Sequence, residues 1–76
     1  MTQTTDLTLR GDHITLDALL KATGLAGSGG AAKTLIAGGG VAVNGEVDTR
    51  RGRKLRAGDV VTVGEQRVQV LAPAGT

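Results

Sequence analysis

The sequence predicts an α+β domain in which two consecutive helices pack on a small, mostly antiparallel sheet. Apolar residues recur with the helical period between residues 14 and 37, and from residue 41 onward they alternate with polar residues as in strands. The Asn44-Gly45 pair lies between two alternating segments and is a strong signal for a β-hairpin. We expect the 76 residues to form a single domain with a core of about residues 12–71 and a frayed tail at 72–76.

The first part of the chain predicts a strand followed by a helix. Residues 6–10 alternate apolar and polar side chains, which is typical of a short strand. The helix is expected to follow Thr15 as its N-cap and to end at Gly24 in a left-handed conformation. Its inner face consists of residues three and four positions apart, namely Leu16, Leu19, Leu20 and Thr23.

A second helix is predicted from Ser28, a standard N-cap residue, to about Ala37, where a run of glycines stops it. Its apolar stripe comprises Ala31, Ala32, Leu35 and Ile36. The period then becomes two, and strands are expected at 41–43, 46–49, 60–63 and 67–71. Two amphipathic helices on one face of such a sheet would bury the leucines and valines together.

Positive charge is concentrated in one short stretch, residues 50–56. Five of the nine lysines and arginines lie there: Arg50, Arg51, Arg53, Lys54 and Arg56. The rest of the chain has four basic and seven acidic residues, so the formal charge of +2 describes a mildly acidic body with a cationic patch. Such a patch attracts nucleic acid phosphates through counterion release. A solvated surface loop is the alternative interpretation.

Composition excludes several classes of function. The chain has no Phe, Tyr or Trp, so single-stranded nucleic acid cannot be bound on an aromatic stacking platform. It has no cysteine, and His13 is its only histidine, so neither a thiolate metal site nor a nucleophile–base pair is evident. The first residues lack a signal-peptide pattern and no apolar run could span a membrane. We therefore expect a soluble cytoplasmic protein without enzymatic activity, cofactor or metal.

The start of the second helix, Ser28-Gly29-Gly30, permits two interpretations. The glycines could belong to a simple cap that lets the helices pack closely. Alternatively, bare backbone N–H groups at the helix N-terminus could accept a phosphate, with Lys33 one turn further on. The residues alone do not decide between these interpretations.

Four segments in this order resemble a known family. They are Ile14 to Lys21, Ser28 to Lys33, Val41 to Glu46 and Arg50 to Val61. Together they are similar to the RNA-binding domain named after the fourth small-subunit ribosomal protein, the αL motif, and especially to its short stand-alone bacterial members of the YbcJ type. The resemblance covers roughly residues 12 to 71 and implies two helices packed on a β-hairpin and the strands that follow.

The resemblance also implies binding of structured RNA. We expect a monomeric module whose target is ribosomal RNA or a precursor, in ribosome assembly, translation or RNA metabolism. Carried over by position, the binding surface comprises Ser28, Gly29, Gly30, Lys33, Asn44, Arg50, Arg51, Arg53, Lys54 and Arg56. Five phosphate contacts would make log K fall against log salt with a slope of about −4 to −5.

Two other functions are compatible with a chain of this size. A protein-interaction module could dock on a ribosomal protein or an acidic partner through the same patch. A sulfur-carrier-like β-grasp protein fits less well, because such carriers end in Gly-Gly whereas this chain ends in Gly75-Thr76.

Overall fold

The computed structural model of the protein describes residues 3–73 and confirms the predicted α+β class. In chain order the elements are β1 (Gln3–Thr8), β2 (Ile14–Thr15), α1 (Leu16–Thr23), α2 (Gly29–Ala37), β3 (Ala42–Val43), β4 (Glu46–Val47), β5 (Lys54–Leu55), β6 (Val60–Val63) and β7 (Gln66–Leu71). Of the predicted tail, residues 74–76 lie outside the described part of the chain. Neither described helix is long and apolar enough to cross a membrane.

The main sheet has five strands in the order β1-β7-β6-β3-β4. β1 runs parallel to β7, and the remaining neighbours are antiparallel. The first strand begins earlier than predicted, because Gln3 to Thr8 pair residue by residue with Gln66 to Leu71. This pairing draws in the polar residues Gln3, Thr4 and Thr5, which carry no apolar alternation of their own.

A second, two-stranded sheet was not predicted. β2 pairs antiparallel with β5, so that Ile14 lies opposite Leu55 and Thr15 opposite Lys54. No local turn connects these two segments, and only the fold brings them together. This small sheet joins the start of α1 to the basic stretch.

Both helices begin and end close to the predicted residues. Gly24 follows α1 with φ of 79°, and its amide donates to the Lys21 carbonyl, as expected of a left-handed cap. Ser28 caps α2, since its Oγ accepts the Ala31 amide at 3.1 Å. Thr15 occupies the N-cap position of α1 without a side-chain cap, because its hydroxyl donates to the Asp17 carboxylate at 2.6 Å.

The core lies between the helices and one face of the main sheet. Leu16, Leu19 and Leu20 of α1 are fully buried. The other buried apolar residues are Leu9, Ala26, Ala32, Ile36, Val41, Val43, Leu55, Val61, Val68 and Val70. In the predicted stripe of α2, Leu35 is half-buried, whereas Ala31 is exposed because it faces away from the core on the first turn.

The hairpin between β3 and β4 has the predicted turn. Asn44 and Gly45 adopt φ of 53° and 88°. Positive φ at both central residues is what a type I′ turn requires, and glycine adopts it without steric cost.

Replacing one buried and one exposed valine by alanine should change the free energy of unfolding by different amounts. Val61→Ala removes two methyl groups from a fully buried side chain and is expected to lower the free energy of unfolding by about 2 kcal/mol. Val47→Ala removes the same groups from a side chain that is 64% exposed and should change it by less than about 0.5 kcal/mol. Urea unfolding monitored by circular dichroism measures both; equal losses would contradict the described core.

Candidate functional site

The stretch of residues 50–56, called the basic loop below, is attached to the fold at its beginning, middle and end. Asp48 lies two residues before the loop begins. It is 7% exposed, and its charged side chain is buried, unlike the other charged side chains of the described residues. Its carboxylate accepts hydrogen bonds from Arg50 Nε at 3.1 Å and Arg50 Nη2 at 3.0 Å. It also accepts from Arg53 Nη1 at 2.8 Å and from the Arg50 amide at 2.9 Å. One buried carboxylate therefore holds two arginines of the loop.

The middle of the basic loop caps helix α1. The amide of Leu16 donates to the Arg53 carbonyl at 2.9 Å, and the amide of Asp17 donates to the Arg51 carbonyl at 3.1 Å. The first amides of a helix lack partners within the helix, so these bonds satisfy two of them. The path of the loop is thus tied to the position of α1.

The end of the basic loop is held by burial and by a turn. Leu55 is fully buried and pairs with Ile14 in the small sheet. The amide of Arg56 then donates to the Asp59 carboxylate at 2.8 Å. Leu55 is therefore the apolar anchor of the basic loop.

Asn44 is joined to this end of the loop through Asp59. Its side-chain nitrogen donates to Asp59 at 3.0 Å, and its side-chain oxygen accepts the Val60 amide at 2.9 Å. Burial alone would raise the pKa of Asp59, but the Arg56 amide and the Asn44 side chain bring that pKa below its ordinary value. Asn44 thus fastens the β3–β4 turn to β6 and has intramolecular partners on both side-chain heteroatoms.

The five cations of the basic loop have unequal surroundings. Arg51, Lys54 and Arg56 are exposed and are not among the residues paired with Asp48. Arg50 is also exposed, with 72% of its side chain accessible, while 31% of Arg53 is accessible. When the negative charge of Asp48 is included, the formal charge of the basic loop is +4 instead of +5.

Electrostatics follow from these contacts. The Arg50 side chain that donates to Asp48 is the main reason why the pKa of Asp48 lies far below its ordinary value, and Arg53 lowers it further. The same contact raises the pKa of Arg50. The Thr15 hydroxyl holds the pKa of Asp17 below its usual value, with a smaller contribution from the charge of Arg51. Both carboxylates are therefore ionised at neutral pH.

The predicted residues of α2 form a separate group. Ser28, Gly29, Gly30 and Lys33 are all exposed. A Cβ at Gly29 would meet nothing within 4 Å, and one at Gly30 would meet only Ser28 Oγ at 3.9 Å. Close helix packing therefore does not account for glycine at these positions.

The predicted site residues thus fall into two clusters. Asn44 and the basic loop are connected through Asp48, Asp59 and their hydrogen bonds. The basic loop caps the N-terminal end of α1, whereas α2 begins after the C-terminal end of α1.

Asp48 is the residue that the sequence analysis missed. The sequence pattern predicts a strand at this position. A signal for its role was present, because an Asp side chain often accepts a hydrogen bond from the amide two residues on, here that of Arg50. Within residues 3–73, no group of three or more His, Cys, Asp or Glu side chains could hold a metal ion. His13 lies at the surface, where its Nδ1 is 2.7 Å from Asp12 Oδ1.

Comparison with known proteins supports the predicted resemblance. The chain belongs to the S4 domain family, which matches residues 7–71. It is 45% identical over 60 residues to the protein of Escherichia coli (strain K12) named "Putative RNA-binding protein YbcJ", a match covering 79% of this chain and 86% of that protein. It is 48% identical over 52 residues to the protein of Bacillus subtilis (strain 168) named "Probable ribosome maturation protein RlbA", covering 68% of this chain and 73% of that protein.

Acid should weaken the attachment of the basic loop. Because the folded-state pKa of Asp48 is lowered, its stabilising contribution is fully present above the unfolded pKa of about 4 and is lost as pH falls toward the folded value. The free energy of unfolding of the Asp48→Asn variant should therefore fall less than that of the wild type between pH 5 and pH 2. Urea titrations across this range measure the difference. Asp6→Asn, on exposed β1, serves as control, and an equal pH dependence in wild type and Asp48→Asn would contradict the role of the buried carboxylate.

Proposed function

We propose that this chain binds structured RNA without catalysing a reaction, and that its target is ribosomal RNA or a precursor. Membership of the S4 domain family supports RNA binding, as do the names of the two relatives, one of which refers to RNA binding and the other to ribosome maturation. The observation that carries the proposal is a basic loop whose backbone is anchored at several points while Arg51, Lys54 and Arg56 project from it, exposed.

The composition of the chain favours contacts with the backbone of the RNA. Without Phe, Tyr or Trp the chain lacks the aromatic platform on which bases usually stack, so we expect its contacts to go mainly to phosphates, sugars and the shape of a folded RNA. The anchored backbone of the loop loses little conformational freedom on binding, because it is already ordered. Such a surface favours RNA that presents its phosphates in a fixed arrangement.

The α2 cluster would supply a second group of contacts. The amides of Gly29 and Gly30 lie at an exposed helix start, and Lys33 follows one turn later. The absence of side chains at both glycines would allow an RNA phosphate to approach these amides. Because the two clusters lie on different elements of the fold, we expect them to contact different phosphates. We further propose that the protein binds RNA as a monomer and in the cytoplasm.

Salt dependence is the first test. The basic loop together with Asp48 has a formal charge of +4, so its contribution to the slope of log K against log salt should be about −3 to −4, less steep than five free cations would produce. Replacing Arg51, Lys54 and Arg56 by Gln should flatten the slope by about 2 to 3 units and weaken binding to every structured RNA alike. Titrations of a structured ribosomal RNA fragment at several salt concentrations measure this.

The chain offers a matched control for that experiment. Arg10, Lys21 and Arg67 are exposed and lie outside both clusters, and replacing them by Gln changes the net charge by the same amount. This control variant should keep most of the slope. If both triple variants lost affinity equally, the interaction would be one of net charge and not of a site. Weak binding by the wild type would point instead to a protein partner with an acidic surface.

Gly29→Ala should lower RNA affinity without lowering the free energy of unfolding. Alanine is the better helix former and its Cβ would meet nothing within 4 Å, so the free energy of unfolding should stay the same or rise by less than about 1 kcal/mol. Affinity for the RNA fragment should nevertheless fall about fivefold, or by about 1 kcal/mol, if a phosphate lies against this backbone. Gly11→Ala is the control, since a Cβ there also has open space. Unchanged binding by Gly29→Ala would remove α2 from the proposed surface.

A further inference from the structure

We propose that Asp48 builds a single phosphate-binding site by holding the guanidinium groups of Arg50 and Arg53 side by side. The inference rests on the proposed function and refines it: the two arginines act as one unit, and a buried acid is required for RNA binding although RNA is an anion. Asp48 itself is a positioning residue that acts through the two arginines.

Arg50 and Arg53 are held close together because both donate to one oxygen of Asp48. Arg50 Nη2 and Arg53 Nη1 donate to the same atom, Asp48 Oδ2, at 3.0 and 2.8 Å. Their nitrogens therefore cannot be more than about 6 Å apart, the range of two charge-assisted bonds to one acceptor. Two guanidinium ions at this distance repel each other, and the carboxylate between them offsets that repulsion. The buried acid thus makes a close pair of like charges stable.

The orientation of Arg50 is determined as well as its distance. Its Nε and Nη2 bond to the two oxygens of Asp48, a bidentate contact that defines the plane of the guanidinium group. Asp48 cannot adjust easily, since only 6% of its side chain is exposed and the Arg50 amide also donates to it. An exposed arginine would otherwise sample many rotamers.

The pair retains donors and net charge for a ligand. Each guanidinium has five N–H donors, and the bonds to Asp48 take two from Arg50 and one from Arg53. The three side chains together carry a charge of +1, which one phosphodiester phosphate would neutralise. Both arginines remain accessible to solvent, so the remaining donors can reach an external anion. The ligand is thus a backbone phosphate of the bound RNA.

Substitution of Asp48 tests the paired site, because loss of positioning and gain of positive charge change RNA affinity in opposite directions. Asp48→Asn adds one unit of positive net charge, which by itself would strengthen RNA binding; loss of positioning should instead weaken affinity for the ribosomal RNA fragment about three- to tenfold. Asp6→Asn changes the net charge equally at an exposed site on β1 and should leave affinity unchanged or slightly higher. Circular dichroism confirms folding of both variants. If Asp48→Asn bound as tightly as Asp6→Asn, Asp48 would have a structural role alone and the inference would be wrong.

Conservative variants keep the inference testable if Asp48→Asn does not fold. Arg50→Lys and Arg53→Lys retain the charge but cannot form the fork of N–H donors that a guanidinium group presents. Each should weaken RNA binding severalfold, whereas Arg67→Lys, at an exposed arginine outside both clusters, should have little effect. Equal effects at all three positions would overturn the paired site.

A titration with inorganic phosphate distinguishes failure of this inference from failure of the proposed function. The Nε–H resonances of Arg50 and Arg53 should shift together on addition of phosphate, and this joint shift should be lost in Asp48→Asn. If the wild type shows the shift but does not bind RNA, the proposed function fails and the anion site stands. If RNA binds without dependence on Asp48 and phosphate moves neither resonance, RNA binding stands and the paired site is refuted.

Discussion

The hydrogen-bonded ion pairs between the buried carboxylate of Asp48 and the side chains of Arg50 and Arg53 organise the proposed RNA-binding surface. Asp48 lies where the β3–β4 hairpin ends and the basic loop begins, and it accepts four hydrogen bonds from Arg50 and Arg53. A buried charge without partners would cost several kcal/mol, so the arginines and the acid must be placed together. The loop that follows is consequently ordered from its first residue, although most of its side chains are exposed.

This constraint extends to the helices through backbone bonds. Arg51 and Arg53 offer their carbonyls to the first amides of α1, and Leu55 inserts into the core beside the leucines of that helix. The loop and the helical layer therefore form one unit. Substitutions in the core can alter the presentation of the cations, and substitutions in the loop can alter the N-terminus of α1.

Most of the secondary structure could be predicted because it depends on local signals. The spacing of Leu16, Leu19 and Leu20 defines a helix face at any position in a protein, and Asn44-Gly45 favours one type of turn through its own φ preferences. β2 and β5 could not be predicted, because no turn such as Asn44-Gly45 connects them and their pairing joins segments about forty residues apart in the chain. The early start of β1 likewise depends on its partner β7.

The fold class, the helices, the hairpin and the dense basic loop can all be read from the order of residues, since each follows from side-chain period, turn preference or composition. The pairing of the cations cannot, because the distance between charged groups depends on how the chain folds back on itself. The tertiary structure placed Asp48 beneath Arg50 and Arg53, joined Asn44 to Asp59, and left Gly29 facing open space. Electrostatic energy varies with separation and burial, and neither can be read from the order of residues.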